Sequence, residues 1–284
     1  MLTIFAFSCI AGDNELSPEC LDGAERFLRD DGVSIPSSYT SYLQPITCSR
    51  LWAQIRGHHH NPTIATKSLE TPHVVNLHNY VPLAQPQPCF TFHHPRKSHH
   101  HHRGVEGDGP SQDSSSDDTY HPHPNHISEL GKDGKATIDE SNNHHYHHHP
   151  QANARAIHLD FEVDGACVVH GFAGYFSTVL YGDVMLSIEP STISKGMFSW
   201  FPIFFPLQQP LSIPSTPSPA TVRVHMWRRV QAEQRKVWYE WSAETLLLSH
   251  HHLHRVGDGD GDGDGIYATT TIHNTNGRSY WIGL

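Results

Sequence analysis

"AIHLDFEV", residues 156–163, decides the fold class. Ile157, Leu159, Phe161 and Val163 alternate with His158, Asp160 and Glu162. A side-chain period of two puts the first set on one face of a strand and the second on the other. Working outward, "TVLYGDVMLSIEP" (178–190) reads as two strands around Gly182-Asp183. "TVRVHMW" (221–227) and "KVWYEWSAE" (236–244) read as two more across a charged turn. "IYATTTIH" (266–273) and "SYWIGL" (279–284) flank Asn276-Gly277, a dipeptide that predicts a short hairpin. Upstream, "HVVNL" (73–77) and "CFTF" (89–92) are short strands flanked by prolines, and "SIPSSYTSYLQPI" (34–46) is extended chain entering a sheet. Many short strands with turn signals between them predict a mainly β fold, a barrel or a sandwich.

One helix precedes the strands. Ser17 is a good N-cap, Pro18 suits the first helical position and Glu19 complements the positive helix end. Leu21, Ala24, Phe27 and Leu28 recur at helical spacing, and Gly32 supplies the stop. Two blocks interrupt the pattern. Residues 97–152 are rich in His, Ser, Asp and Gly and read as disordered. "HHHLHRVGDGDGDGDG" (250–265) reads as a low-complexity expansion of a loop.

Composition narrows the function. A net charge of −10 over 284 residues, with all 27 His neutral, disfavours a nucleic-acid binder, which needs a basic stripe. No apolar run approaches the ~20 residues of a membrane span, so no membrane partner is expected. The start, "MLTIFAFSCIAG", lacks the positive n-region of a signal peptide. The five cysteines show no CxxC pair, which indicates neither a disulfide framework nor a zinc ribbon and suits a reducing compartment, cytoplasm or nucleus.

Metal and nucleotide motifs fail on inspection. The runs at 99–102 and 144–149 could take up Zn²⁺ or Ni²⁺, but a functional site holds separated ligands on rigid elements with supporting hydrogen bonds. Asp258, Asp260, Asp262 and Gly263 mimic the start of an EF-hand loop, yet Thr269 stands where the bidentate Glu is due. No metal site is therefore assigned. There is no GxGxxG turn after a strand, no GxSxG elbow and no HExxH helix. The aromatic stretches "HGFAGYF" (170–176) and "GMFSWFPIFFP" (196–206) are more distinctive. Phe204 and Phe205 read as barrel packing. Trp200 and Phe201, beside Pro202, read either as core or as the wall of a pocket that stacks on a cation.

"DNELSPECLDGAERFLRDDGVSIPSSYTSYLQPI", "QPQPCFTFHHP", "VVHGFAGYFSTVLYGDVMLSI", "GMFSWFPIFFP", "KVWYEW" and "NGRSYWIGL" occur in that order and span most of 13–96 and 156–284. Together they resemble the C-terminal region of the type II protein arginine methyltransferases, which make symmetric dimethylarginine. The family joins a TIM barrel, a Rossmann-like domain that binds S-adenosylmethionine, and a β-barrel with a dimerisation segment. The resemblance implies a remnant of the Rossmann-like domain over 1–35, the first part of the β-barrel over 36–96, a disordered insertion over 97–152 and the second part over 153–284. It also implies Arg/Gly-rich protein substrates and a homo-oligomer built through the barrel. The TIM barrel, which in the family recruits a WD-repeat adaptor, has no match, and neither has the glycine-rich cofactor loop. The chain thus reads as truncated, with S-adenosylmethionine not expected to bind it.

In this family a "double-E" loop carries two glutamates that accept hydrogen bonds from the substrate guanidinium. Glu15 matches the second. The first belongs nine residues earlier, in a strand ending "SELLG", where this chain has Ala6. Ser199 and Trp200 match positions lining the way in for the peptide and its arginine, Phe201 follows as pocket wall or core, and His170 matches a barrel loop that replaces the Thr-His-Trp loop of type I relatives. The competing readings are a non-catalytic interaction module and a His-rich metal-binding protein.

Overall fold

The computed structural model describes residues 18–29, 31–57, 62–95, 153–197, 200–215, 218–247 and 265–283. Residues 97–152 and 250–264 of the two low-complexity blocks fall outside them. The order is α1 (Pro18–Glu25), β1 (Ser38–Thr47), α2 (Ser49–Arg56), α3 (Pro62–Leu69), β2 (His73–Val74), β3 (Val81–Pro82), β4 (Gln87–His93), β5 (Arg155–Val163), β6 (Cys167–Tyr181), β7 (Val184–Ser187), β8 (Ile203–Ile213), β9 (Ala220–Gln231), β10 (Lys236–Leu247), β11 (Gly265–Thr269) and β12 (Ile282–Gly283). A seven-stranded sheet runs β2-β8-β6-β1-β3, with β4 also on β1 and β7 on β6. A five-stranded sheet runs β11-β10-β9-β5, with β12 on β10. Every pairing is antiparallel.

The alternation in 156–163 is realised in β5: Leu159, Phe161 and Val163 are buried, and His158, Asp160 and Glu162 are exposed. On its neighbour β9, Val222, Val224 and Met226 turn inward. They meet Leu43, Phe90, Phe172 and Phe205 of the other sheet in one core, with Trp241 fully enclosed. Trp241 donates its indole N–H to the Pro206 carbonyl at 2.9 Å, so the polar edge of the largest core side chain is satisfied. A second cluster lies around Ile46, Cys48, Ala173, Tyr175, Phe176, Ile188 and Phe204, with Leu51 and Ile55 of α2 packed against it.

Four local readings change. First, a mostly β course after residue 34 leaves out α2 and α3. Leu51, Trp52 and Ile55 share one side of α2, the Trp52 indole donates to the Leu207 carbonyl at 2.7 Å, and Gly57 ends the helix at φ +63°. Second, the strand expected over 73–77 is only the pair His73–Val74. Third, α1 stops at Glu25 and continues as a tight turn, with the Phe27 N–H on the Ala24 carbonyl and Phe27 65% exposed. Fourth, Asn276-Gly277 does not close a two-strand hairpin. β11 and β12 both pair with β10. The turn is held instead by Asn274, whose side-chain oxygen accepts from the Ser279 and Tyr280 N–H groups and whose amide donates to the Tyr239 and Tyr280 carbonyls. Gly277, at φ +66°, leaves room for Trp238, whose ring would lie 3.1 Å from a Cβ there.

Candidate functional site

Of the residues expected to matter, Glu15 and Ser199 lie outside the described residues. His170 and Trp200 are both tied to the second cluster. His170 is buried on β6, accepts the Cys48 N–H on Nδ1 at 3.4 Å and meets the Trp52 ring edge-on at 6.2 Å. Burial holds its pKa below the ordinary value, partly opposed by a hydrogen bond to the Val168 backbone. A neutral ring whose Nδ1 lone pair serves the β1–α2 junction positions chain. Trp200 packs edge-to-face on Phe176 at 5.7 Å and is partly open to solvent. Phe201 is 37% exposed and belongs to neither cluster. His170 and Trp200 therefore share a neighbourhood through Cys48 and Phe176.

Two charged centres were not foreseen. Counting inward positions along β9 from Ala220 through Met226 brings the next one to Arg228, which is fully buried. Its guanidinium is matched by Glu19 of α1: Nη1 donates to Oε1 and Nη2 to Oε2, each at 2.8 Å, and Nη1 also donates to the Asn153 carbonyl at 3.0 Å. Asp22, one turn along α1, accepts from the Asn153 side chain at 2.7 Å. Glu19 and Asp22 together fasten α1 to the barrel.

The second centre is Glu70, just past α3 and 1% exposed. It accepts from Arg278, Ser279 and Gln208. Burial raises the Glu70 carboxyl, but the hydrogen bonds from Arg278 and Ser279 outweigh that and hold its pKa below the ordinary range. Beside it, the buried His273 stacks on Trp241 at 5.1 Å, shares Nδ1 with the Trp241 carbonyl at 3.0 Å and accepts the Gln208 N–H on Nε2 at 2.9 Å. The Gln208 contact makes Nε2 an acceptor, so Nδ1 carries the proton. This network ties the C-terminal stretch to both sheets.

Among the described residues no group of three or more His, Cys, Asp or Glu is arranged to hold a metal ion, and no helix is long and apolar enough to cross a membrane. Residues 38–282 match the family described as "PRMT5 oligomerisation domain", and residues 8–35 match "PRMT5 arginine-N-methyltransferase". This chain belongs to the PRMT5 family. It is 42% identical over 277 residues to protein arginine N-methyltransferase 5 of Oryza sativa subsp. indica, covering 96% of this chain and 30% of that protein. Against the Xenopus laevis relative the identity is 41% over 273 residues, covering 96% and 31%. Against protein arginine N-methyltransferase skb1 of Schizosaccharomyces pombe it is 31% over 278 residues, covering 95% and 34%. The chain thus spans about a third of the length of these PRMT5-family relatives.

Among solved structures it is similar to the Trypanosoma brucei PRMT1 enzyme-prozyme complex, with TM-score 0.51 and 8% identity over 93% of this chain and 64% of that one. It is also similar to Arabidopsis thaliana protein arginine methyltransferase 10, with TM-score 0.50 and 11% identity over 94% and 67%. At such identity the likeness speaks for the fold, the β-barrel of arginine methyltransferases.

Proposed function

We propose that this chain supplies the β-barrel and oligomerisation part of an S-adenosylmethionine-dependent protein arginine methyltransferase of the symmetric type, acting in the cytoplasm or nucleus. The observation that carries this is the match of residues 38–282 to the oligomerisation domain, joined at 8–35 to the methyltransferase family. In this reading, 1–35 belongs to the cofactor domain, and the barrel comprises 36–96 and 153–284. Glu15 accepts hydrogen bonds from the guanidinium of an Arg/Gly-rich substrate and keeps its attacking nitrogen oriented. Ser199, Trp200 and Phe201 wall the approach, and His170, within strand β6 rather than in a loop, steadies the β1–α2 junction.

The residues present do not fit the cofactor. A sulfonium nucleoside needs a glycine-rich strand-to-helix turn, and the sequence has none. Ala6 also stands where the partner of Glu15 would be. These residues alone are therefore expected to leave an Arg/Gly-rich peptide unmethylated. The test is incubation with radiolabelled S-adenosylmethionine and such a peptide; incorporation of label above a no-protein control overturns the reading.

The oligomerisation match also favours a second role, a non-catalytic module that forms mixed oligomers with a full-length relative. Sedimentation of the chain, alone and mixed with that relative, tests it. A strict monomer that fails to co-sediment counts against it.

A further inference from the structure

We propose that the cavity between the end of β5 and the β3–β4 loop is a docking pocket for an arginine side chain of an extended basic peptide. The cavity measures about 470 Å³, within the range of small-ligand sites. It opens at the seam of the two sheets, where the Gln87 side chain donates to the Asp160 carbonyl at 2.7 Å. One wall carries Glu162 and Asp164, consecutive exposed positions at the end of β5. Neither carboxylate has a hydrogen bond or ion pair with the described residues, whereas Asp160, next in the same row, is taken up by Arg223 at 2.7 and 2.8 Å.

The opposite wall is stiff. Pro82, Pro86 and Pro190 cannot donate backbone hydrogen bonds and offer flat apolar faces to an extended chain. The floor is a hydrogen-bonded chain: the Tyr175 hydroxyl donates to Gln44 Oε1 at 2.9 Å, and Gln44 Nε2 donates to the Ala84 carbonyl at 2.8 Å. With Gln44 satisfied in this way, the cavity offers a visitor two carboxylates that have no partner among the described residues, together with the Tyr80 ring. A planar guanidinium suits that set: it pairs bidentately with carboxylates, lies on aromatic faces and is more weakly hydrated than an ammonium. The choice of an Arg/Gly-rich peptide as its source rests on the methyltransferase reading.

The test is fluorescence anisotropy of a fluorescein-labelled alternating Arg-Gly peptide titrated with the full chain, without cofactor. The outcome is thus independent of methyl transfer. Saturable binding is expected, weakened roughly tenfold or more by the double change Glu162→Gln, Asp164→Asn. The change Asp183→Asn, Glu233→Gln removes the same charge outside the pocket and is expected to weaken binding less than about twofold. Equal loss in both double variants means general attraction to an acidic protein and overturns the pocket. Absence of saturable binding, or affinity unchanged by Glu162→Gln, Asp164→Asn, also overturns it. A lysine-for-arginine peptide that binds equally well overturns the guanidinium assignment.

Discussion

The buried pair between Arg228 and Glu19 makes the sharpest stability prediction. The Arg228 side chain is 1% exposed and that of Glu19 19% exposed, and both oxygens of the carboxylate are used. Changing Glu19→Ala takes both carboxylate oxygens away from the guanidinium, whose remaining contacts include the Asn153 carbonyl and, 5.7 Å from its centre, the Phe92 ring, neither of which carries a negative charge. Breaking a buried pair in this way costs about 3–5 kcal/mol, and the partial exposure of Glu19 favours the lower figure. With a urea m-value of about 2 kcal/mol/M, a loss of about 3 kcal/mol moves the midpoint down by roughly 1.5 M. The six tryptophans provide the fluorescence signal. The double change Arg228→Met, Glu19→Leu removes charge and countercharge together and is expected to recover most of the loss. Because the pair is sheltered, the Glu19→Ala deficit should persist in 0.5 M salt. A midpoint shift below about 0.3 M for Glu19→Ala, or a double variant no better than it, refutes the reasoning.

Burial holds His273 below its ordinary pKa despite the opposing hydrogen bond to the Trp241 backbone; His170 and His73 are lowered by burial as well. A depressed folded pKa means the unfolded chain binds more protons, so the stabilisation is present above pH ~6.5 and is lost as pH falls toward the lowered folded pKa values. Urea midpoints at pH 7.5, 6.0 and 5.0 should decline, with a shallower slope in His273→Asn. Gly171→Ala places a Cβ 2.2 Å from the Phe205 carbonyl oxygen and 2.7 Å from the Phe204 ring, so a loss of about 2 kcal/mol or more is expected in thermal melts. Burial pushes the Cys48 thiol up to about 12 and raises that of Cys89 well above its ordinary value, while Cys20 is exposed. Iodoacetamide at pH 8 should therefore label Cys20 and spare Cys48 and Cys89, as mass spectrometry of the native protein would show.

How far the fold could be read from the chain depended on whether a segment's burial is one-sided. β5 and β9 each bury a single face, so the polar residues between their apolar ones announce the period. β6 is buried over most of its length, from Val169 to Thr178, and "HGFAGYF" accordingly gives no alternation. Its identity as a strand comes from pairing with β1 on one side and β8 on the other. The helices α2 and α3 have eight residues each, too short to outweigh the β signal around them, although Leu51, Trp52 and Ile55 had the right spacing. Asn276-Gly277 supplied the expected left-handed backbone, with φ +58° and +66°. What local sequence could not say is that both flanking segments would pair with β10, since partner choice is a tertiary matter.

The site was less legible, because its charged centres join residues far apart in the chain. Glu19 and Arg228 are separated by 209 positions, and Glu70 and Arg278 by 208. One signal for Arg228 was present: continuing the inward parity of Val222, Val224 and Met226 makes the next inward residue an arginine. A charge at a core position requires a partner, since an unpaired ion there would be prohibitively costly. Among the helices, α1 carries Glu19 in its first turn, and on local grounds that residue was only a favourable first-turn acid. The structure gives it a second task, since the same carboxylate anchors the helix to the barrel.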